Sequence, residues 1–309
     1  MGLRIRTNVQ SLRAQRHLGE QTFAIGRSSE KLSSGHRINR AGDDAAGFAI
    51  SEVLAGDVRS LNQARRNAND GVSLVEVAEG GLAEINNIMI RLRELSIQSA
   101  SDTIGVRERQ YLNQEFFQLK NEVDRIALAT EFNGTRLLTG QAEVPDEMLE
   151  DHNYSPLEVQ VGKDYFLETD AIEKPNPVNI IKLNLQNMNA MTEGEESLGL
   201  GSTTNDDGTR IDSKQGAQLA IAKIDDAMQR VAGYRADLGA LQNRLEKTDQ
   251  AIQIHVENLS AARSRIKDTD FAAETARMTQ HSILQRGAVS VLTQANSFPT
   301  IALQLLNAG

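Results

Sequence analysis

Leu54, Leu61, Ala68, Val75, Leu82 and Met89 lie seven residues apart, and Ile50, Ala64, Gly71, Ala78, Ile85 and Leu92 run beside them, broken at Asp57. Two neighbouring rows in sevens make one apolar seam, which predicts a helix of about 55 residues, roughly 80 Å long. Leu112, Phe116, Leu119, Val123 and Ile126 step by four and three and predict a second, shorter helix. A third seam runs through Ile224, Val231, Leu238, Leu245, Ile252, Leu259 and Ile266, again in sevens. Its partner row reads Ile221, Met228, Arg235, Gln242, Asp249 and Val256, polar in the middle. Such a row implies a narrower seam there, or buried polar groups that specify register. Proline leaves room for these lengths: all five prolines (Pro145, Pro156, Pro175, Pro177 and Pro299) lie outside 1–144 and 178–298.

The breaks are also readable. A first helical stretch over about 4–33 stops at Ser33-Ser34-Gly35. Asp43-Asp44 stand before an Ala-rich run and Asp268 with Asp270 before Phe271, the residue type that caps helix N-termini. Gly134 and Gly140 are read as the end of the second helix. In the middle, Leu157, Val159 and Val161 alternate, as do Ile181, Leu183 and Leu185, with the turn signal Lys174-Pro175-Asn176-Pro177 between them. That predicts a small β-hairpin near 157–185. Residues 192–212, rich in Gly, Ser, Thr, Asp, Asn and Glu, read as an exposed loop. The fold class is therefore mainly α: long coiled-coil-like helices from both chain ends forming a rod, with a small β-hairpin in the middle of the chain. We expect an inner terminal helical domain from 1–42 plus 268–309, and a rod domain from 43–191 plus 213–267.

The terminal segments depart from ordinary amphipathic design. Residues 283–306 carry one charge, Arg286, and place Ile283, Leu284, Val289, Val291, Leu292, Ile301, Leu303, Leu305 and Leu306 on several helix faces. The N-terminal helix, with Ile5, Val9, Leu12, Leu18, Ile25 and Leu32, is expected to cover one of them, and other copies of the chain the rest. Each buried side chain of this size stabilises by roughly 1.5–3 kcal/mol, so the drive to associate is strong. Head-to-tail contacts between such chains do not close, and build a helical filament or tube.

Composition narrows the alternatives. Aromatics are 4% and Trp is absent, which favours an elongated molecule of Leu, Ile, Val and Ala over a large spherical core. With no cysteine, disulfides, thiol catalysis and Cys-based zinc sites are excluded. The five histidines are scattered without an HExxH, and no run of about 18 apolar residues exists. The start MGLRIRTNVQ lacks an apolar signal core, so export by a cleaved secretory signal is not expected. The net charge of −9 is uneven: residues 141–212 hold 16 acidic and 4 basic residues, residues 1–40 hold 2 and 8. The basic N-terminus spreads its arginines over many helix faces without interleaved aromatics, which argues against nucleic acid or an anionic membrane.

No residue set argues for catalysis or a cofactor. Asp43-Asp44 lack a third ligand at useful spacing, and capping explains them. Gly199-Leu200-Gly201 is too short for a phosphate loop. Asn133-Gly134-Thr135 and Asn153-Tyr154-Ser155 match the N-glycosylation pattern, and Ser202, Thr203 and Thr204 are free to carry O-linked sugars. Gly71, Gly80 and Gly81, inside the longest helix, cost about 1 kcal/mol each relative to Ala, so they imply close backbone approach or a local adjustment of the helix.

The run Lys31-Leu-Ser-Ser-Gly-His-Arg-Ile-Asn-Arg-Ala-Gly-Asp-Asp-Ala-Ala-Gly47 closely resembles the N-terminal signature of bacterial flagellins. So do Thr7-Asn8-Val9-Gln10-Ser11-Leu12, Arg66-Asn67-Ala68-Asn69-Asp70-Gly71 and Phe132-Asn133-Gly134. Toward the C-terminus, Arg235-Ala236-Asp237-Leu238-Gly239-Ala240, Gln242-Asn243-Arg244-Leu245, Glu257-Asn258-Leu259, Ser264-Arg265-Ile266 and Gln294-Ala295-Asn296 match as well. The resemblance covers about 1–140 and 215–309, and many motifs in the right order make it specific.

The resemblance implies a structural subunit, not an enzyme, that self-assembles into the helical flagellar filament used for swimming; a hook–filament junction protein is the alternative with the same terminal architecture. Its polymer interface would include Ile5, Val9, Leu12, Leu18, Ile283, Leu284, Val291, Leu292, Leu303, Leu305 and Leu306. Implied partners are further copies of the chain, an export chaperone and the flagellar export apparatus, and hook-junction and cap proteins, with an extracellular location. The family's innate-receptor patch, seen by Toll-like receptor 5, maps to Arg91, Leu95, Gln98 and Glu115, while Ile90 stands where Gln is common in strongly recognised members.

Overall fold

The structure is a computed structural model that describes residues 8–140, 156–164, 178–190, 198–201 and 209–307, with side chains as far as residue 297. The Lys174–Pro177 turn, the Asn153-Tyr154-Ser155 motif and Ser202–Thr204 lie outside the described residues. The contacts divide the chain into two units, Met1–Val58 with Glu257–Gly309, and Arg59–Val256.

The longest helix, α2 (Ala45–Ala100), is the one predicted by the double row in sevens, and from Arg59 on it belongs to the second unit. Leu61, Ala68, Val75, Leu82 and Met89 of one row, and Ala64, Ala78, Ile85 and Leu92 of the other, are buried. Helix α3 (Val106–Ala129) buries Phe116, Val123 and Ala127, and α4 (Lys214–Lys267) buries Ile224, Val231, Leu238, Leu245 and Ile252. Ion pairs Arg93–Asp225, Glu79–Arg235 and Arg65–Asp249 descend α2 as they ascend α4, so the two helices run antiparallel. Arg91 to Glu115 and Arg109 to the Ser99 carbonyl set α3 antiparallel to α2 in the same way.

The partner seam of α4 differs from expectation. The residues buried beside its main row are Ala217, Ala220, Ala227 and Tyr234, while Ile221, Met228, Arg235, Gln242 and Asp249 are half-buried on the flank. Alanine carries no periodic signal as strong as Ile or Met, yet its small side chain lets the helix approach closely on that side. The polar row therefore sits beside the seam, where Arg235 and Asp249 reach α2, and does not specify a buried register.

The hairpin is present: β3 (Leu157–Gln160) pairs antiparallel with β4 (Ile180–Leu183), with Leu157 opposite Leu183 and Val159 opposite Ile181. It docks on α2 at Gly71, where an added Cβ would lie 3.3 Å from Leu245 and 3.4 Å from Val159, and Asn67 donates to the Gln160 carbonyl at 3.1 Å. Helix α3 stops at Ala129, earlier than Gly134. Thr130 closes it through its N–H and hydroxyl, both bonded to the Ile126 carbonyl. Asn133 and Gly134, at φ 51° and 81°, then turn a second hairpin between β1 (Glu131–Phe132) and β2 (Thr135–Arg136). Asn-Gly at two positive φ values is the preferred two-residue hairpin turn, a signal the helix reading passed over.

The segment 192–212 is not wholly an exposed loop. Among its described residues, Leu198, Leu200, Thr209 and Ile211 are buried. Side chains of α3 satisfy its backbone: Asn113 accepts from the Ile211 N–H at 2.9 Å, and the Lys120 ammonium donates to the Leu200 and Gly201 carbonyls at 2.9 and 2.6 Å. Asp124, one turn on, accepts from the Ala190 N–H at 2.6 Å.

In the first unit, α1 (Val9–Ser34) ends at Gly35, whose φ of 72° is the left-handed stop that Ser-Ser-Gly predicts. One aspartate of each pair caps. Asp44 accepts from the Gly47 N–H at 2.9 Å at the start of α2, and Asp270 from the Ala272 and Ala273 N–H groups at the start of α5 (Phe271–Asn307). Asp43 instead holds the turn before α2, accepting from the Asn39 and Arg40 amides and from Arg27. Desolvation raises its pKa, but those amides and the Arg27 charge outweigh it and hold the carboxyl below its ordinary value.

Candidate functional site

The feature of the first unit that calls for a function is how α1 meets α5. Their ties run antiparallel along both helices. Asn8, which also caps α1, donates to the Ala295 carbonyl at 2.7 Å. Further along, His281 bonds Gln21 at 2.8 Å, Gln285 donates to Thr22 at 3.0 Å, and Ser28 donates to Glu274 at 2.6 Å. The described side chains buried along the pair are Ser11, Ala14, Ser28, Glu274 and Ala295, small or polar without exception.

Many of the large apolar side chains face the other way. Phe23 is 69% exposed, Ile283 64%, Val291 57% and Leu12 56%. Val9, Phe271, Leu284 and Val289 are exposed as well. Of the N-terminal residues expected to cover the C-terminal helix, Val9 and Leu12 are exposed, whereas Leu18, Ile25 and Leu32 are half-buried. Small residues allow the two backbones to close on each other, and several bulky ones are left outside. Of the predicted interface residues, Val9, Leu12, Ile283, Leu284 and Val291 are exposed, and Leu18 and Leu292 are half-buried. The side chains of Ile5, Leu303, Leu305 and Leu306 lie outside the described residues. Sequence reading missed Phe23 and Phe271; the available signal was a phenylalanine off the main stripe in a chain with few aromatics. Beside Phe23 the surface of α1 is a groove floored by Gly19 and Gly26, and α5 carries a furrow of Ala272, Thr275, Ala276 and Thr279 between Phe271 and Ile283.

Glu274 is the one charged group buried along the described part of this pair. The Ser28 hydroxyl, then the charges of Lys31 and Arg277, keep its carboxyl below the ordinary glutamate value against the opposing effect of desolvation. A carboxyl with a depressed folded-state pKa contributes stability that is present above its unfolded pKa and lost as pH falls through the folded one. We expect the α1–α5 pair to loosen on acidification through the carboxylate range, and Glu274→Gln to blunt that dependence. Helical circular dichroism against pH checks both; equal acid profiles for the two proteins would contradict it.

The residues expected to form a receptor patch lie in the second unit. Arg91, Gln98 and Glu115 are exposed, with Arg91 bonded to Glu115 at 2.8 Å and to Glu94 at 3.0 Å. Leu95 is fully buried, three residues after Leu92 on the same seam, and contributes no surface to such a patch. Among the described residues no group of three or more His, Asp or Glu is placed to hold a metal ion, and no helix is long and apolar enough to cross a membrane.

Comparison with known proteins gives the family. The model for the bacterial flagellin N-terminal helical region matches residues 5–143, and that for the bacterial flagellin C-terminal helical region matches 221–306. The chain is 38% identical to the flagellar filament 33 kDa core protein of Treponema phagedenis, over 98% of this chain and 99% of that one. It is 36% identical to the flagellin of Bacillus subtilis, over 98% of this chain and 100% of that one. A putative flagellar hook-associated protein from Vibrio parahaemolyticus superposes with a TM-score of 0.55 at 13% identity, covering 73% of this chain and all of the other, a likeness of fold alone. With family models matching both ends and relatives aligned over nearly its whole length, the chain belongs to the bacterial flagellins.

Proposed function

We propose that this chain is a structural subunit of a bacterial flagellar filament, joined to its neighbours through the outward apolar residues of α1 and α5. The observation that carries the reading is the inverted α1–α5 pair, with Ser11, Ala14, Ser28 and Ala295 inside and Phe23, Leu12, Ile283 and Val291 outside. Burying one such side chain stabilises by roughly 1.5–3 kcal/mol, and only further copies of the chain offer matching surfaces at every subunit. The filament and flagellin names of the aligned relatives support the same role.

On this reading the chain acts by assembly, not catalysis, in the extracellular filament. An export chaperone, the export apparatus, and junction and cap proteins are its partners in reaching that place. The inner domain is assigned to 1–42 plus 268–309 and the rod domain to 43–191 plus 213–267. Toll-like receptor 5 would meet Arg91, Gln98 and Glu115 without help from Leu95.

The test is the double substitution Ile283→Asp with Val291→Asp. Both side chains are exposed in the single chain, so folding of the second unit should be unchanged while polymerisation is lost. Sedimentation of polymer and thermal melting of the soluble chain read the two effects. Normal polymer from the double variant would refute the reading.

A further inference from the structure

The turn between β1 and β2 joins an exposed asparagine side chain to an open backbone nitrogen. Asn133 and Gly134 are both exposed, and among the described residues neither the Asn133 side chain nor the Gly134 N–H has a hydrogen-bond partner. A Cβ built at Gly134 would meet nothing within 4 Å, so its surroundings are open. Asn133 is also the only asparagine of the chain that is followed by glycine. By contrast, Asn67, Asn113 and Asn243 lie in helices and bond the Gln160 carbonyl, the Ile211 N–H and the Gly239 carbonyl, while Asn187 and Asn189 are buried. The hairpin that carries Asn133 is slight: Glu131 pairs with Arg136 and Phe132 with Thr135, each exposed or half-buried. Strands this short open locally at little cost.

We propose that Asn133 is a site of spontaneous covalent modification, deamidation through a cyclic imide formed with the Gly134 main-chain nitrogen. The Gly134 N–H gives its proton to hydroxide, and the nitrogen attacks the Asn133 Cγ. The new N–Cγ bond forms as the bond from Cγ to the side-chain nitrogen breaks, and that nitrogen takes a proton from water and leaves as ammonia. Glycine favours the step because no Cβ crowds the attacking nitrogen. Water, the only co-reactant, then opens the five-membered ring. Opening at Cγ leaves aspartate; opening at the main-chain carbonyl leaves isoaspartate, whose backbone runs through the former side chain with one extra methylene. That methylene lengthens a two-residue turn whose length sets the register of the strands. The Leu137 N–H bond to the Thr130 carbonyl, 3.1 Å long at the open end of the hairpin, is lost with that register. The modification therefore accumulates with the age of the chain and loosens the end of α3 where Thr130 meets Gly81. It lies within one chain and does not depend on the filament reading.

Peptide mapping by mass spectrometry of the folded full chain, aged for weeks in isotope-labelled water at mildly alkaline pH, tests it. The peptide carrying position 133 should lose its side-chain nitrogen, gain one labelled oxygen and yield isoaspartate beside aspartate. The rate should rise roughly tenfold per pH unit, because the attacking nitrogen lies far below its own pKa. Peptides carrying Asn67, Asn187 and Asn243 should stay intact. Amide hydrogen exchange reads the consequence: Leu137 should lose protection in the aged chain but keep it in Asn133→Asp, which changes the charge and not the backbone length. Asn133 intact in the folded chain, whether or not the urea-unfolded chain is modified, would overturn the proposal. So would aspartate as the sole product, or equal modification at Asn67 and Asn243.

Discussion

Raising the pH from 8 to 10 should stabilise the second unit by about 2–3 kcal/mol, the reverse of the usual alkaline loss. The source is Lys120. It has no exposed surface, its ammonium lies 5.8 Å over the Phe117 ring, and it is hydrogen-bonded to the Leu200 and Gly201 carbonyls. Burial pushes its pKa down to about 8; Asp124 opposes the shift, and Lys223 and Arg210 add to it. Above that value the folded chain has released a proton that the unfolded chain keeps up to its ordinary lysine pKa. Stability therefore rises with pH across the window between them, at about 1.4 kcal/mol per unit of pKa difference. The window closes from above at Tyr234, whose phenol burial pushes up to about 12. That group holds its proton longer in the folded state and lowers stability as pH climbs past 10. Lys120→Met should flatten the rise. Urea unfolding followed by helical circular dichroism at pH 7 to 10 measures both proteins, and parallel curves would contradict the assignment.

Neighbouring glycines in α2 should respond with opposite sign. An added Cβ at Gly80 meets nothing within 4 Å, so Gly80→Ala is expected to stabilise by about 1 kcal/mol through helix propensity. At Gly81 the same atom would lie 2.5 Å from the Thr130 hydroxyl and 3.0 Å from Leu138. Thr130 cannot simply turn away, because its hydroxyl closes α3 on the Ile126 carbonyl at 2.7 Å, and Leu138 is fully buried. Gly81→Leu is therefore expected to destabilise the second unit by about 3 kcal/mol, the upper range for overpacking. Thermal melting of the two variants checks this. A stable Gly81→Leu protein would mean that Thr130 and Leu138 pack less tightly on α2 than described.

These glycines also mark how far the sequence could be read. Rows in sevens gave α2 and α4 because Leu, Ile, Val and Met report burial strongly. The same reading placed the partner seam of α4 on Arg235 and Gln242, since Ala220 and Ala227 are too weakly apolar to stand out. It extended α3 toward Gly134, although Asn133-Gly134 is a hairpin turn. Gly71, Gly80 and Gly81 were read alike, as close approach or a local adjustment of the helix; Gly80 meets nothing, and what approaches the other two, Leu245 and Val159 or Thr130 and Leu138, depends on tertiary packing. Leu95 entered the surface patch through the family resemblance, not through its spacing, and the packing of α2 buries it. At the candidate site, the excess of apolar residues at the chain ends was plain. Its arrangement was not: nothing local to Ser11, Ala14, Ser28 or Glu274 says that small and polar residues take the inside of the α1–α5 pair, leaving Phe23 and Ile283 outside.

The central claim is that these outward faces join one copy of the chain to the next. Its most direct test is electron microscopy of the purified full chain, concentrated with short filament seeds, beside a version lacking residues 283–309. The account predicts long filaments from the full chain and none from the shortened one, whose second unit should still melt normally. Filaments from both, or only monomers from the full chain, would contradict it.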